Sequence, residues 1–225
     1  MSASTNIVVV TGTDTEIGKT LVTCAVARGL AARGFDVRAV KPVESGIAEL
    51  DEPDRDGVKL ARAAGQEEPA RALTELTRPL APPEAAEIDG VALDFDVWCH
   101  RIERIADDAD IVLVEGAGGV LSPLTWDETA RELAVALEAR VLLVVPDALG
   151  VLNHTLMSLE VLQSAGLEPL GVVFSRSRQS DESTDKNPET LKKVSDCRRI
   201  ASVPRVEGWR EAVDHVRAPI EWVTP

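Results

Sequence analysis

Residues 7–20 read IVVVTGTDTEIGKT, and the succession of residue types along this stretch decides the fold. Ile7 to Thr11 is a β-branched run without polar alternation, which suits a strand buried on both faces and hence a parallel sheet. Gly12 opens a polar turn bounded by glycines. From Lys19 the pattern becomes helical, with Val22, Val26 and Leu30 on one stripe of a helix that runs to Arg33 and closes at Gly34. A strand, a glycine-rich turn and a helix in that order aim successive backbone N–H groups inward at a helix N-terminus, whose partial positive charge favours an anion. Gly12 to Thr20 is therefore read as a phosphate loop, with Lys19 reaching the terminal phosphates and the Thr20 hydroxyl serving as a Mg2+ ligand. Five residues separate Gly12 from Gly18, one more than the standard motif, so the loop is a variant.

Outward from this loop the same grammar repeats. Ile111 to Val114, Val141 to Val145 and Leu170 to Phe174 are further buried-strand runs, and Val37 to Val43 is a looser fifth whose hydrogen bonding ends at Pro42. Between them, Trp98, Ile102, Ile105 and Ala109 form a helical stripe, and Glu128 to Ala139 and Val151 to Ala165 are helical as well. Strands alternating with helices predict one doubly wound α/β domain over residues 1–225, a mostly parallel sheet with helices on both faces and right-handed crossovers. Ligands of such sheets sit at the carboxyl ends of the strands. Arg78 to Glu84 (RPLAPPE) reads as a stiff loop, and Ser175 to Glu189 reads as a polar, mobile one. Beyond Leu191 the pattern weakens. Cys24 and Trp98 read as core residues.

Composition narrows the partners. With 24 Lys plus Arg against 38 Asp plus Glu, the formal charge of -14 repels polyanions, which excludes nucleic acid and anionic membrane surfaces as expected partners. Cys24, Cys99 and Cys197 lack any CxxC spacing, so neither a disulfide framework nor a zinc site is expected, and a reducing cytoplasm fits. Residues 1–6 carry no signal-peptide pattern, and no apolar run approaches the roughly 18 residues that span a bilayer.

Three charged residues stand where the predicted sheet meets the loop. Glu115 ends a strand in VEGAGG; taken alone it reads equally as a turn residue, but beside a phosphate loop it reads as a metal ligand. Gly116, Gly118 and Gly119 then allow backbone to approach a ligand. Lys41 ends the second strand in KPVESG, and Pro42 biases it to an extended backbone that projects its side chain at the same edge. The acidic stretch Glu49 to Asp56 supplies another carboxylate, and spacing does not separate Asp56 from Asp54.

The segments VTGTDTEIGKT, KPVESG, VEGAGG and LGVLNHT, in that order between Val10 and Thr155, resemble the dethiobiotin synthetases, and APPEAA (Ala81 to Ala86) resembles that family's proline-rich substrate loop. The resemblance implies that 7,8-diaminononanoate, CO2 and ATP give dethiobiotin, ADP and phosphate through a carbamate and its mixed anhydride with phosphate, as a step of biotin synthesis. It implies a catalytic set of Lys41, Lys19 and Thr15, and a Mg2+ held by Thr20, Asp56 and Glu115. Nucleotide contacts would come from Glu16, Ile17, Gly18, Lys19, Thr20, Leu21, Asp56, Glu115, Gly116, Ala117, Gly118, Ser175, Val203 and Pro204. Substrate contacts would come from Thr15, Lys41 and Ser45, with Gly150, Val151 and Asn153 holding the acid tail across a homodimer interface. One position departs from the pattern. Ser175, followed by Arg176, stands where well-known members carry an asparagine that reads the adenine edge. A serine offers one rotatable hydroxyl in place of a fixed donor and acceptor pair, which brings CTP and other triphosphates into consideration beside ATP.

Other readings of the same scaffold are cobyrinate amidase-like ligases, the nucleotide domain of a phosphotransacetylase, and the partition or septum-placement ATPases. The first two normally carry an additional domain. The last place a signature lysine where this chain has Asp14.

Overall fold

The computed structural model describes residues 6–176 and 179–224. The elements in chain order are β1 (Ile7–Gly12), α1 (Lys19–Ala31), β2 (Val37–Val40), β3 (Val43–Glu44), α2 (Asp56–Ala64), β4 (Thr74–Glu75), α3 (Pro82–Asp89), α4 (Phe95–Asp107), β5 (Ile111–Glu115), α5 (Ala130–Ala136), β6 (Arg140–Pro146), α6 (Val151–Ser164), β7 (Pro169–Ser175), α7 (Asn187–Val194), β8 (Ile200–Val203), α8 (Trp209–Ala212) and α9 (Arg217–Val223). Six strands form a parallel sheet in the order β2-β5-β1-β6-β7-β8. Consecutive residues of each central strand feed opposite faces. Ile7, Val9, Val112, Val114, Leu143 and Val145 pack toward α4, α5 and α6, while Val8, Val10, Ile111, Leu113, Leu142 and Val144 pack toward α1, α2 and α9. Burial on both faces is the physical origin of the unalternated apolar runs.

The strand order matters for function. With β5 between β1 and β2, the register pairs Val40 with Val114 and Val10 with Glu115. Lys41, one residue past β2, therefore comes abreast of Glu115, and both stand beside the loop that leaves β1.

Several sequence expectations are corrected. The run Val37 to Val43 is not one strand: Pro42 has no N–H to extend the ladder, and the chain leaves the main sheet so that β3 pairs with β4 in a separate two-stranded sheet. Within Arg78 to Glu84, the residues from Pro82 onward begin α3, because proline is tolerated in the first turn of a helix, where the N–H groups have no intrahelical acceptor. The polar stretch Ser175 to Glu189 begins as the last residue of β7 and ends inside α7. Between them the Asp185 N–H and Asn187 Nδ2 donate to the two carboxylate oxygens of Asp147 at 3.0 and 2.8 Å, and the Leu149 N–H donates to Asp181 at 2.8 Å. Ser177 and Arg178 of that stretch lie outside the described residues. Beyond Leu191, where the sequence pattern is weak, β8 completes the sheet and α8 and α9 cover one face. Among the described residues no helix is long and apolar enough to cross a membrane.

Candidate active site

A cleft of about 1040 Å³ opens at the carboxyl ends of β1, β2 and β5, lined by residues that include Thr15, Glu16, Gly18, Lys19, Thr20, Leu21, Lys41, Ser45, Asp56, Glu115, Ala117, Gly118 and Pro204. The loop at its floor is held from below. Ile17 is fully buried, and a Cβ on Gly12 would meet its Cδ1 at 2.4 Å and the Val144 carbonyl oxygen at 2.8 Å. Only glycine fits there. Gly12 in turn accepts a hydrogen bond from the Val120 N–H at 2.9 Å, which ties the segment after β5 to the loop. Gly18 turns the chain into α1 through a left-handed conformation (φ 93°), and Glu16 also has positive φ (54°). Alternation of this kind gathers successive N–H groups into a concave anion site.

Lys19 lies against this loop, its Nζ donating to the Asp14 carbonyl oxygen at 2.6 Å. Burial draws its pKa down from 10.5 to about 8, with the Glu115 carboxylate opposing. Lys41 is also buried, and its Nζ contacts Glu115 Oε1 at 2.6 Å and Asp56 Oδ2 at 2.8 Å. Burial works against the Lys41 charge, but Glu115 and Asp56 outweigh it and hold the ammonium well above its ordinary range. For Asp56, burial pushes upward and the Lys41 ammonium overrides it, leaving the carboxyl below its usual range. The Thr20 hydroxyl donates to Glu115 Oε1 at 2.7 Å.

Thr20, Lys41, Asp56 and Glu115 thus form one connected cluster. Glu115 is fully buried, and its second oxygen, Oε2, has no hydrogen-bond partner among the described residues. A buried carboxylate oxygen left without a donor is costly in free energy unless something positive completes it. This donor set fits Mg2+, which takes one or two carboxylates and completes its shell with water and phosphate oxygens. It does not resemble an all-protein metal cage: among the described residues no group of three or more His, Cys, Asp or Glu gathers to hold an ion. Asp56 and Asp54, inseparable by spacing, differ here. Asp56 opens α2 and meets Lys41, whereas Asp54 lies exposed on a 3-10 turn at the cleft rim.

Other expected site residues are spread more widely. Gly116 and Val203 are buried, and Ser175 is 1% exposed with its hydroxyl unpartnered among the described residues. Arg176, Pro204 and Arg205 line the neighbouring end of the cleft. Gly150, Val151 and Asn153 do not line it; they open α6 at the end of β6, where Asn153 is exposed between Leu149 (84% exposed) and Met157 (58%). Sequence reasoning passed over Glu44 and Lys59, both of which line the cleft. Glu44 carries the clearer signal in hindsight, a charged residue three positions past Lys41 in a run otherwise suited to burial.

Comparison with known proteins adds an independent line. A family model described as an AAA domain matches residues 6–212. The ATP-dependent dethiobiotin synthetase BioD of Mycobacterium avium (strain 104) is 46% identical over 170 residues, covering 75% of this chain and 74% of that protein. The protein of the same name from Anaeromyxobacter sp. (strain Fw109-5) is 36% identical over 212 residues, 93% of this chain and 94% of the relative. Among solved structures, the cell division ATPase MinD of Pyrococcus furiosus aligns with a TM-score of 0.62 at 23% identity over 96% of both chains. The septum site-determining protein MinD of Pyrococcus horikoshii OT3, complexed with Mg-ADP, aligns at 0.62 and 20% identity, covering 98% of this chain and 95% of that one. At that identity the structural likeness speaks for the fold alone.

Proposed function

Because the chain belongs to the family of ATP-dependent dethiobiotin synthetases, whose reaction is the ATP-dependent formation of dethiobiotin in biotin biosynthesis, we propose that the Lys19, Lys41, Thr20, Asp56 and Glu115 cluster carries out its phosphoryl transfer and ring closure. The observation that carries this reading is the convergence of two buried lysines and a buried, half-satisfied carboxylate on one phosphate loop.

In the proposed sequence one amine of 7,8-diaminononanoate adds to CO2 and loses a proton, giving a carbamate. A carbamate oxygen then attacks the γ-phosphorus, the bond from that phosphorus to the β-bridging oxygen breaks, and ADP leaves. The neighbouring amine attacks the carbamoyl carbon of the mixed anhydride and gives up a proton, the ring closes, and phosphate departs with the former carbamate oxygen. Lys19 holds the terminal phosphates over the loop amides. Lys41, in the same cleft, holds the anionic carbamate beside the γ-phosphate and faces charge that develops on its equatorial oxygens. Thr15 and Ser45 line the same cleft and contact the diamine or its carbamate. When bound, Mg2+ supplies positive charge to the phosphate oxygens from the side of Thr20, Asp56 and Glu115. Incubation with diaminononanoate, bicarbonate, Mg2+ and ATP is expected to yield dethiobiotin by mass spectrometry; triphosphate hydrolysis indifferent to the diamine, with no such product, would overturn the assignment.

Base choice is proposed to be broad. The Ser175 hydroxyl has no fixed acceptor, and the adjoining wall carries Arg176 and Arg205, which donate hydrogen bonds and accept none. A site built around a fixed hydrogen-bonding group rejects the wrong edge by about 10⁴-fold or more, whereas one without it discriminates by about 200-fold at most. ATP and CTP at limiting concentration are therefore expected to give kcat/KM values within about 200-fold of each other; a preference for ATP of about 10⁴-fold would contradict this.

A homodimer is proposed in which Gly150, Val151 and Asn153 of one copy receive the substrate's acid tail bound in the other. Their position outside the cleft and the exposed Leu149 and Met157 beside Asn153 support it. Sedimentation velocity is expected to show a dimer under assay conditions, and full activity in a monomeric fraction would exclude the shared site.

A further inference from the structure

Lys41 and Glu44 belong to one short segment of chain, yet they serve the cluster from different directions. Glu44 is the second residue of β3, held by pairing with β4, and only 4% of it is exposed. Its two carboxylate oxygens are both used. Oε1 accepts the Asp56 N–H at 2.6 Å and Oε2 accepts the Gly57 N–H at 2.9 Å. These are the first two amides of α2, a helix whose own N-cap residue, Arg55, makes no side-chain capping bond.

A cap needed only for helix stability is commonly supplied locally by Ser, Thr, Asn or Asp at the N-cap, with no charge buried. Here the cap comes from 12 and 13 residues away and carries a buried charge. Burial pushes the Glu44 carboxyl upward, and the Gly57 and Asp56 amides oppose it. The first turn of α2 is also confined from the other side. A Cβ on Gly57 would stand 2.2 Å from the Ala72 backbone nitrogen, so the helix start is wedged against that segment. Asp56, fixed at its backbone by Glu44, then presents Oδ2 to Lys41 Nζ at 2.8 Å.

We propose that Glu44 is a positioning residue for the metal site: by gripping the first two amides of α2 from the strand that follows Lys41, it sets the place of Asp56 relative to Lys41 and Glu115. One segment, Lys41 to Glu44, thereby holds both ends of the Lys41–Asp56 contact. The inference rests on the proposed role of Asp56 as a metal ligand.

The test measures Mn2+ binding by the electron paramagnetic resonance signal of free Mn2+, with adenylyl imidodiphosphate bound, for wild type, Asp56→Asn, Glu44→Ala, Glu44→Gln and the Glu44→Ala/Asp56→Asn double variant. Groups that orient a metal ligand typically change metal affinity by about 10- to 100-fold. Glu44→Ala is expected to weaken Mn2+ binding by about tenfold. Glu44→Gln, which keeps the length and one acceptor, is expected to lose less. The double variant is expected to be no weaker than Asp56→Asn alone, because both changes remove the same ligand. Nucleotide affinity in metal-free buffer is expected to stay at the wild-type value. Native Mn2+ affinity in folded Glu44→Ala, or effects that add in full in the double variant, would overturn the inference. Should Glu44→Ala not fold, Glu44→Gln decides in its place, wild-type affinity counting against the proposal. If Asp56→Asn itself leaves Mn2+ binding unchanged, the ligand role of Asp56 falls and this inference with it.

Discussion

Replacement of Lys41 by alanine is expected to lower turnover about a thousandfold at saturating substrates, while the KM for the nucleotide shifts only a few-fold. On the proposed reading the magnitude follows from removing a preorganised charge beside the transferring phosphoryl group, and the split follows because Lys19 and the loop amides would still hold the triphosphate. A second effect separates Lys41 from an ordinary surface lysine. Its side chain is 7% exposed and sits between Glu115, fully buried, and Asp56, whose side chain is 32% exposed. Truncation leaves the Glu115 charge uncompensated. Breaking a buried pair costs about 3–5 kcal/mol, and the exposure of Asp56 puts this case near the lower figure. At about 2–4 °C per kcal/mol for a chain of this size, the melting temperature should fall by about 6–12 °C. Because the missing group is a cation beside two carboxylates, Mg2+ should recover more of that loss in Lys41→Ala than it adds to wild type. Lys41→Arg keeps the charge, but not the compact ammonium that fits between two oxygens at 2.6 and 2.8 Å, so stability should return further than turnover. Product mass and thermal melting with and without Mg2+ check the set, and near-wild-type turnover of Lys41→Ala would remove this lysine from the chemistry.

The parts of the site that can be read from sequence are those built from neighbours in the chain. The loop Gly12 to Thr20 carries its whole logic locally: a buried strand before it, a helix after it and glycines where the backbone must turn. Lys41 and Glu115 were legible for a related reason, since each ends a strand and the carboxyl ends of parallel strands share one edge. Which strands stand side by side is not a local property, and the order β2-β5-β1 is what brings Lys41 within 2.6 Å of Glu115. The same limit explains Asp56. Nothing within the acidic stretch Glu49 to Asp56 distinguishes it from Asp54; the distinction is made by Glu44, on a strand of two residues too short to show any period. The stretch Ser175 to Glu189 reads from sequence as a polar loop, and what that composition does not announce is where its end is tied: Asp147 accepts from Asp185 and Asn187 across 38 and 40 residues. Arg78 to Glu84 reads as a stiff loop because of its prolines, yet Pro82 and Pro83 open α3, where proline is tolerated in the first turn.

Glu115→Gln is expected to raise the Mg2+ concentration for half-maximal activity at least tenfold and to lower turnover by about 10²- to 10³-fold. The substitution preserves volume at a fully buried position, so packing is not the cause. The two oxygens of Glu115 play different parts. Oε1 already accepts from Lys41 Nζ and the Thr20 hydroxyl, and an amide oxygen in its place can accept from both. Oε2, buried and without a donor, is the position open to a cation, and an amide nitrogen there would present two N–H groups to it. Loss of the negative charge leaves Lys41 with Asp56 as its one charged partner and an amide oxygen as a second acceptor, so the ammonium stays satisfied. The melting temperature should therefore fall less than in Lys41→Ala, although metal dependence changes more. Opposite rankings of the two variants in stability and in Mg2+ requirement are the signature of a carboxylate that serves a metal first and a lysine second. Glu115→Asp tests the geometry, because retracting the carboxylate by one methylene keeps the charge but withdraws it from Thr20 and Lys41 together. Mn2+ binding measured beside the Mg2+ activity profile separates ligand loss from a slower chemical step, and an unchanged metal requirement in Glu115→Gln would show that this carboxylate serves Lys41 alone.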